Sequence, residues 1–323
     1  MNAIVANKTK SKPDYLDIPQ PIPNEENELL VDVVAVAVTN YDKAKTSGTH
    51  YSNMSSDHVV GSDCVCILPD GSRAYAIGNS GTMAEKAVID KRRMVRIPAE
   101  LDNATAAALP NAVIGAAMGI LYRAEMQPGD VVLINGATGF TGRVAVQLAK
   151  FYGASKVVVT GRNEESLKSL LLLGADQTIS LLDTSENILN ELKSIHAVTP
   201  FNVVIDYLWG SSAQLILKCL SGNGTFSPRT RYVSVGSMSG DELTLSAAIL
   251  RSVNLTISGS GIGAWTREQV QKLITQILPD AFDMAAKGAI KIDVIPVGFH
   301  DIIEQWDKEV LDGQRLVVVM DQI

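Results

Sequence analysis

Cysteine and histidine are scarce in this chain. Its three cysteines, Cys64, Cys66 and Cys219, are an odd number without CxxC spacing, so the sequence supports neither a disulfide framework nor a structural zinc site. Cys64 and Cys66 alternate like residues on one face of a strand. A thiol pair there stays open, although we favour buried structural cysteines. The four histidines show neither the HxxxH nor the HxH pairing of common zinc sites. We therefore predict no metal site.

Positive charge is also limited. The 323 residues include 28 Lys+Arg and 35 Asp+Glu, a formal net charge of −7, and the pI is about 5.2. The longest basic clusters are only Lys8/Lys10/Lys12 and Lys91/Arg92/Arg93. Because binding a phosphate backbone needs a strong positive field, this composition argues against a nucleic-acid partner.

The first twenty residues lack the apolar stretch of a signal peptide, and they contain three Lys and two Asp. This absence predicts a cytoplasmic protein. An uncharged run between Asp102 and Arg123 is interrupted by Pro110, Gly115 and Gly119. We interpret the run as buried helix pairs of a core and expect no membrane contact.

Hydrophobic residues make up 46% of the chain, as in globular proteins, and the length favours two domains because single cores stop growing near ~250 to 300 residues. The first hundred residues are predicted to be β-rich. From Pro128, short apolar strands alternate with helical patterns, which is typical of βαβ units. The predicted strands are 131–135, 156–160, 177–180, 203–207, 231–235 and 255–258, and the predicted helices between them are 143–152, 164–173 and 185–196.

The predicted fold class is therefore α/β, with a Rossmann doubly wound parallel sheet and a separate β-rich domain. After Gly263 we expect a helical stretch at 266–287, a strand at 290–297, a helix at 300–311 and a final strand at 316–320. This tail is expected to pack back on the β-rich domain.

The most specific local signal is a glycine-rich turn between an apolar strand and an apolar helix. Gly136 permits the tight turn, Gly139 lets backbone amides approach a pyrophosphate, and Gly142 lets the helix pack closely. The strand, helix and spacing agree, so we predict dinucleotide binding; an unliganded glycine turn is the alternative. The predicted contacts are Gly136, Ala137, Thr138, Gly139, Phe140, Thr141 and Gly142.

The end of the second strand distinguishes between the two nicotinamide cofactors. NAD enzymes place an Asp or Glu there for the ribose 2′-hydroxyl, but this strand ends in Thr160-Gly161-Arg162-Asn163. Arg162 offers a planar donor array that matches a 2′-phosphate. We predict NADPH, with these four residues as contacts; a solvated surface arginine near Glu164 and Glu165 is the alternative.

At this point the sequence resembles the medium-chain dehydrogenase/reductase superfamily, and within it the zinc-independent quinone oxidoreductase branch. The resemblance covers nearly the whole chain. Its individual markers are weak, but their order along the chain is specific. Its markers are Val38-Thr39-Asn40-Tyr41-Asp42, Ser47-Gly48, Gly61-Ser62-Asp63, Ala108-Leu109-Pro110, Gly129-Asp130-Val131-Val132-Leu133, Leu173-Gly174-Ala175-Asp176, Val204-Ile205-Asp206 and Val235-Gly236.

The resemblance implies a GroES-like substrate domain at 1–114 and 264–323 and a Rossmann domain at 115–263. It also implies hydride transfer in the cleft between them. In zinc-containing relatives the metal ligands fall near Asn40 and Ser62, and neither ligand is present here. The expected function is thus a metal-independent transfer of hydride from NADPH to a quinone or an α,β-unsaturated carbonyl acceptor.

Asn40 is expected by this resemblance to lie near the nicotinamide, with Asp42 stabilising a local turn. Tyr41 or Tyr51 is the candidate proton or hydrogen-bond donor to the acceptor oxygen; for Tyr51 a surface or core position is the alternative. Further cofactor contacts are predicted at strand ends and the loops that follow. They are Asp206, Leu208, Val235, Gly236, Ser260 and Gly261.

The apolar segment 252–261 is predicted to form an edge strand, which is a liability when it is uncovered. In the family this edge joins two subunits, so we predict a homodimer. The only other partner we expect is the small-molecule substrate.

Two features of the sequence suggest other functions. Tyr152 and Lys156 form a YxxxK pair like that of short-chain dehydrogenases, but they follow Gly136 too closely and lie away from the strand ends where a cofactor binds. The segment 63–84 is shorter than in the family. This shortening leaves open an alternative function, a non-catalytic NADPH-binding redox sensor or structural protein.

Overall fold

The structure, a computed structural model, describes residues 1–7, 10–49, 57–222, 224–308, 310 and 313–320. The chain divides into two compact units. Unit 1 comprises Met1–Asn111 and Gln271–Ile323, and unit 2 comprises Ala112–Val270. The predicted substrate and cofactor roles of the two parts stay predictions.

Unit 1 is β-rich, which confirms the prediction for the first hundred residues. Its N-terminal part contains the strands β1 (Asn2–Ala6), β2 (Asp14–Asp17), β3 (Glu28–Ala37), β4 (His58–Val59), β5 (Asp63–Ile67), β6 (Arg73–Gly78) and β7 (Lys86–Arg96), with the helix α1 (Asn40–Thr46) after β3. β1 pairs with β2 and β4 in a small antiparallel sheet. In a second sheet β3 pairs with both β5 and β7, and β6 joins the latter two. These four strands therefore close into a ring around an apolar core.

Unit 2 contains a parallel sheet of six strands, as predicted. The strands are β8 (Val131–Asn135), β9 (Lys156–Gly161), β10 (Gln177–Ser180), β11 (Val203–Asp206), β12 (Thr230–Ser234) and β13 (Leu255–Gly259). Their order in space is β10-β9-β8-β11-β12-β13, the order of a doubly wound dinucleotide-binding sheet. The Rossmann prediction is confirmed.

Helices connect these strands. They are α3 (Phe140–Phe151), α4 (Glu164–Leu171), α5 (Ser185–Val198), α6 (Gly210–Cys219) and α7 (Ala247–Ser252), and a further helix, α2 (Asn103–Ala117), precedes β8. The central strands are buried almost throughout, which explains their unbroken apolar runs, since helices cover both faces of a parallel sheet.

The C-terminal tail returns to unit 1. It contains α8 (Arg267–Lys272), a π-helical segment at Leu273–Ile277, α9 (Leu278–Ala286), β14 (Asp293–Gly298), α10 (Ile302–Gln305) and β15 (Gln314–Val319). β15 pairs antiparallel with β3, so the tail completes the second sheet. This pairing is the packing that the sequence predicted.

Two helix predictions need correction, and two helices were not predicted. The helix predicted at 143–152 begins three residues earlier, because Gly139 rather than a polar residue stands at its N-cap. α6 and α7 were not predicted; both are short, and tertiary packing rather than local propensity holds such helices. The helix predicted at 300–311 is confined, among the described residues, to α10.

The predicted interruption of the uncharged run is also wrong. α2 continues through Pro110 and passes directly into a π-helical segment, Met118–Arg123. By length and composition, Asn103–Arg123 is the one helix among the described residues that could cross a membrane, but 67% of its apolar window is buried inside the structure. Core helices also meet this criterion, and burial agrees with the predicted core role.

Candidate functional site

The glycine turn lies at the carboxyl end of β8. Gly136 adopts a φ of +82°, a left-handed conformation that favours glycine. A Cβ atom at Gly136 would lie 2.6 Å from Cγ of Leu208. Glycine is therefore required here both by the backbone and by the side chain packed over it.

The remaining glycines of the turn differ from each other. Gly139 is exposed at the N-cap of α3, and a Cβ atom there would meet nothing within 4 Å. A Cβ atom at Gly142 would lie 2.6 Å from Cα of Ala137. Gly142 therefore allows α3 to pack against the turn, whereas the space above Gly139 is open.

The turn also exposes the start of α3. The first amide groups of an α-helix have no partner within the helix, and the helix dipole adds positive potential there. Ala137, Thr138 and Phe140 are buried and Thr141 is half-buried, so the backbone rather than these side chains borders the open space. Such a helix end suits a phosphate.

The glycine turn after β8 lies beside the loop that follows β11. β8 and β11 are neighbours, and the strand order reverses between them, which is where doubly wound sheets bind ligands. The loop after β11 places the half-buried Leu208 over Gly136. The crevice at the carboxyl edge of unit 2 is therefore bordered by Leu208 and by the glycine turn.

A buried network of polar side chains lies beneath the two loops. Nδ2 of Asn135 donates to Oδ1 of Asp206 at 2.7 Å and to Oγ of Ser212 at 2.9 Å. Oγ1 of Thr160 donates to Oδ1 of Asn135 at 2.6 Å. The Tyr232 hydroxyl donates to Oδ2 of Asp206 at 2.6 Å. Since an unsatisfied buried polar group is costly, these bonds stabilise the arrangement.

Thr160 and Asp206 were predicted as direct cofactor contacts, and both side chains are fully buried instead. Burial and hydrogen bonding to protein atoms give them a supporting position under the loops. Sequence reasoning missed Asn135 and Tyr232 as their partners, and Ser212 as a partner of Asn135. The one available signal was a polar Asn at the end of an otherwise apolar strand.

The end of β9 carries the residues predicted to select NADPH. Gly161 is buried and packs against the Thr138 side chain, which leaves no room for a Cβ atom. Arg162 is exposed; in the described part of the chain its side chain forms no ion pair or hydrogen bond, so the predicted neighbour Glu164 does not hold it. Oδ1 of Asn163 accepts from the Ser166 amide at 2.9 Å and caps α4.

The ends of β12 and β13 carry the other predicted contacts. The amides of Val235 and Gly236 donate to the Asp206 carbonyl at 2.7 and 3.2 Å. The Ser260 amide donates to the Ser234 carbonyl at 2.8 Å, and its hydroxyl accepts from Nε1 of Trp265 at 3.2 Å. Gly261 is half-buried and nothing described lies near its missing side chain. All four residues lie on the carboxyl edge of the sheet.

Unit 1 holds the predicted catalytic residues at the start of α1. Thr39 and Asp42 form a capping box, with the Thr39 amide donating to Oδ2 of Asp42 at 3.0 Å. Asp42 thus stabilises a local turn, as predicted. Asn40 is exposed, Tyr41 is half-buried, and Nζ of Lys45 lies 4.8 Å from the Tyr41 ring centroid. Tyr51 lies outside the described residues.

A second polar cluster, in unit 1, includes Asp42 of α1, and in it Asp63 is half-buried. Burial raises the pKa of Asp63 from its ordinary value of 3.8 to about 7; the Asp42 charge adds to this shift, while Tyr75 and Arg315 oppose it. The Tyr75 hydroxyl donates to Oδ2 of Asp63 at 2.9 Å. Burial lowers the pKa of Arg315 to about 10, against the raising effect of Asp42 and Asp63. The cluster therefore contains two carboxyl groups and one guanidinium.

No group of three metal-ligating side chains occurs among the residues that the structure describes. Cys64 and Cys66 lie in the apolar core of unit 1, where both are buried as free cysteines. Cys219 is also buried and free. The preferred interpretation of Cys64 and Cys66 as buried core residues is confirmed.

Comparison with known proteins gives consistent results. Residues 141–278 match the family model of zinc-binding dehydrogenases. The chain is 31% identical over 236 residues to "Quinone oxidoreductase-like protein 2 homolog" of Nematostella vectensis, a match that covers 73% of this chain and 62% of that protein. It is 25% identical to "Probable NADPH-dependent quinone reductase tdiC" of Emericella nidulans, over 98% of this chain and 99% of the relative.

The fold comparison covers both units. A solved structure of Escherichia coli quinone oxidoreductase complexed with NADPH superposes with a TM-score of 0.81 at 21% identity, over 99% of this chain and 100% of the other. At that identity the likeness concerns the fold. It agrees with the parallel sheet of unit 2 and the β-rich unit 1.

Proposed function

Because this chain belongs to the medium-chain dehydrogenase/reductase superfamily, in its quinone oxidoreductase branch, we propose that it is an NADPH-dependent oxidoreductase. The proposed acceptor is a quinone or an α,β-unsaturated carbonyl compound, and the proposed reaction needs no metal ion. NADPH, when bound, supplies the hydride. The residues of this chain bind it, orient it and provide a proton donor to the acceptor.

The observation that carries the proposal is the open space at the glycine turn. Gly139 stands exposed at the N-terminus of a twelve-residue helix, where nothing within 4 Å would meet an added Cβ atom. This position lies at the point where the strand order reverses. Open space, backbone donors and a helix dipole together fit a pyrophosphate.

Arg162 supports NADPH over NADH. Arg162 is exposed. It lies next to the turn, because the preceding residue, Gly161, packs directly on Thr138. In the described residues its side chain has no partner that a ligand would have to displace. A planar cation that is free of ion pairs suits the 2′-phosphate. The name of the Emericella relative, which spans nearly this whole chain, also specifies NADPH.

Asn40 and Tyr41 are the proposed catalytic residues. The capping box of Thr39 and Asp42 fixes the first turn of α1, so Asn40 is held in an exposed position at a rigid helix start. Tyr41 is proposed to donate a hydrogen bond or a proton to the acceptor oxygen. Tyr51 is the second candidate for this donor.

Metal independence rests on the residues at the zinc-ligand positions of the superfamily. Asn40 and Ser62 stand near those positions, and neither an amide nor a hydroxyl side chain is a usual zinc ligand. A quinone is readily reduced by hydride transfer when it is well positioned, so the proposed reaction does not depend on a Lewis acid.

A homodimer in the cytoplasm is the proposed state. β13 forms the edge of the unit 2 sheet, and the flanking Leu250 and Ile262 are exposed. An apolar edge strand with exposed neighbours is suited to pairing with a second copy.

The test is acceptor-dependent oxidation of NADPH, followed by the loss of its absorbance, with benzoquinone as acceptor and EDTA present. We expect a benzoquinone-dependent rate that EDTA does not reduce. Binding of NADPH without turnover on benzoquinone or on a panel of enones would instead favour a redox sensor. A rate abolished by EDTA and restored by zinc would contradict metal independence.

Cofactor choice is tested with Arg162→Ala. We expect this variant to lose about tenfold in affinity for NADPH and little for NADH, since it removes a charge-assisted contact to the 2′-phosphate. Arg229→Ala is the matched control, because Arg229 is also exposed but precedes β12 at the opposite edge of the sheet. Equal NADPH affinities of the two variants would contradict the assignment.

A further inference from the structure

The buried network of unit 2 connects both loops that border the crevice. Resting on the proposed NADPH function, we propose that Thr160 and Asp206 are positioning residues of the dinucleotide site. Thr160 holds the glycine turn, Asp206 holds the loop after β11, and Asn135 links the two. Neither side chain reaches the surface, so both act on a ligand only through these loops.

Thr160 binds the first two amides of the glycine turn. The Gly136 amide donates to Oγ1 of Thr160 at 3.1 Å, and the Ala137 amide donates to the Thr160 carbonyl at 2.9 Å. The same hydroxyl donates to Oδ1 of Asn135. The hydroxyl is therefore both acceptor and donor, a combination that valine cannot provide.

Asp206 binds the first amides of the opposite loop. The Leu208 and Trp209 amides donate to Oδ1 at 2.9 and 3.1 Å, and Nδ2 of Asn135 donates to the same oxygen. The Tyr232 hydroxyl holds Oδ2. All four donors are neutral, and together they fix the orientation of the carboxylate.

Trp209 shows how strongly this loop is constrained. Its φ of 56° and ψ of −153° lie in a region that residues other than glycine rarely adopt, and such a conformation persists only where the surroundings impose it. Asp206 binds its amide, and its ring packs edge-on to Tyr232 with centroids 6.2 Å apart. The constrained turn holds Leu208 against Gly136 and thus sets the border of the crevice.

Loss of the Thr160 hydroxyl would release the Gly136 amide and leave Oδ1 of Asn135 without its donor. The turn would then present its amides less precisely to a phosphate, so NADPH affinity would fall. A general loss of stability would not by itself have this effect. The test therefore needs a variant with the same chemical change at a place remote from the loops.

Thr230 provides this matched control. It is a buried threonine at the amino end of β12, and its hydroxyl donates to the Phe201 carbonyl at 2.8 Å. We compare Thr160→Val and Thr230→Val by NADPH fluorescence titration and thermal unfolding, with Thr160→Ser as the conservative variant. We expect Thr160→Val to raise the NADPH dissociation constant about tenfold, the effect of one lost hydrogen bond.

In Thr230→Val the dissociation constant should change less than about twofold although its melting temperature falls, because this bond is structural only. Thr160→Ser retains the hydroxyl and should restore affinity to near the wild-type value. Equal dissociation constants for Thr160→Val and Thr230→Val, in a wild type that binds NADPH, would overturn this proposal alone. Absence of NADPH binding by the wild type would overturn the proposed function together with it.

If Thr160→Val does not fold, Tyr232→Phe tests the proposed role of Asp206 under the loop after β11. It removes only the donor to Oδ2 of Asp206, and we expect an increase of about threefold in the dissociation constant. Tyr75→Phe is its control, since that hydroxyl holds Asp63 in unit 1. Unchanged NADPH affinity in Tyr232→Phe would overturn the proposal.

Discussion

Each unit pairs a carboxyl group with a tyrosine hydroxyl, but the two sites are built differently. In unit 2, Asp206 accepts hydrogen bonds from four neutral donors and supports two loops. In unit 1, Asp63 shares its surroundings with a second carboxylate, Asp42, and with the guanidinium of Arg315. Directed hydrogen bonds thus hold the first site, while a balance of charges holds the second. We therefore expect stability to depend on the hydrogen-bond geometry at the unit 2 site and on pH at the unit 1 site.

The largest effect is expected when the unit 2 site loses its acceptor. Asp206→Ala leaves buried donors unpaired, at ~1 to 3 kcal/mol each, so we expect the free energy of unfolding to fall by about 4 kcal/mol. Asp206→Asn keeps one acceptor oxygen and should lose much less. Urea unfolding measures both, and equal losses would show that the directed bonds do not stabilise the site.

Removal of the cation in unit 1 should have the next largest effect. Arg315→Met removes the guanidinium that the buried Asp42 and the half-buried Asp63 share, and we expect a loss of about 3 kcal/mol at pH 8. The loss should be smaller at pH 5, where Asp63 binds a proton. Arg96→Met is the control, because its ion pair with Asp70 is solvent-exposed. A loss that does not change with pH would contradict the charge balance.

The pH dependence itself can be removed with Asp63→Asn. Burial raises the pKa of Asp63 from 3.8 in an ordinary carboxyl to about 7, so between these values the folded protein binds the proton more than the unfolded chain does. Stability contributed by this group therefore falls as pH rises through the window and levels off above pH 7. Between pH 5 and pH 8 we expect the wild type to lose about 2 kcal/mol more than the variant. Parallel thermal stability curves would rule this out.

The smallest change in stability is expected at the open end of the glycine turn. Gly139 has an ordinary backbone conformation and free space at its Cβ position, so Gly139→Ala should alter the free energy of unfolding by less than about 0.5 kcal/mol. NADPH affinity should nevertheless fall, because the methyl group enters the space proposed for the pyrophosphate. Gly142→Ala, which collides with the backbone of Ala137, should lose about 2 kcal/mol.

Calorimetry and NADPH titration of Gly139→Ala and Gly142→Ala distinguish a glycine that leaves space for the phosphates from one that allows α3 to pack closely. Unchanged affinity in Gly139→Ala would mean that the open space is not where the phosphates bind.

Much of the fold could be predicted from the sequence. The strands of unit 2 are unbroken apolar runs between glycine turns, and β8 and β10 begin and end where the pattern predicted. The start of α3 and the existence of α6 could not be predicted. A glycine N-cap gives a weak local signal. The Trp209 conformation before α6 is held by the Asp206 carboxylate and by the ring of Tyr232, which lies on the next strand.

The candidate site also has one part that the sequence predicted and one that it did not. The glycine turn follows from local chemistry, because the strand, the spacing and the helix are all visible in one segment. Thr160 and Asp206 were predicted as direct cofactor contacts, but their side chains are fully buried. Whether a residue at a strand end faces the ligand or the interior depends on partners as far as 24 residues away for Thr160 and Gly136 and 71 residues away for Asp206 and Asn135.

The sequence by itself determined the doubly wound sheet and the glycine turn, since each depends on periodicity or on a residue's own conformational range. Only the tertiary structure decided which polar residues face the crevice and which support it from below, and only it brought two carboxylates and an arginine together in unit 1. Those outcomes depend on strand pairing and burial, which bring distant segments together and change the energy of each charge.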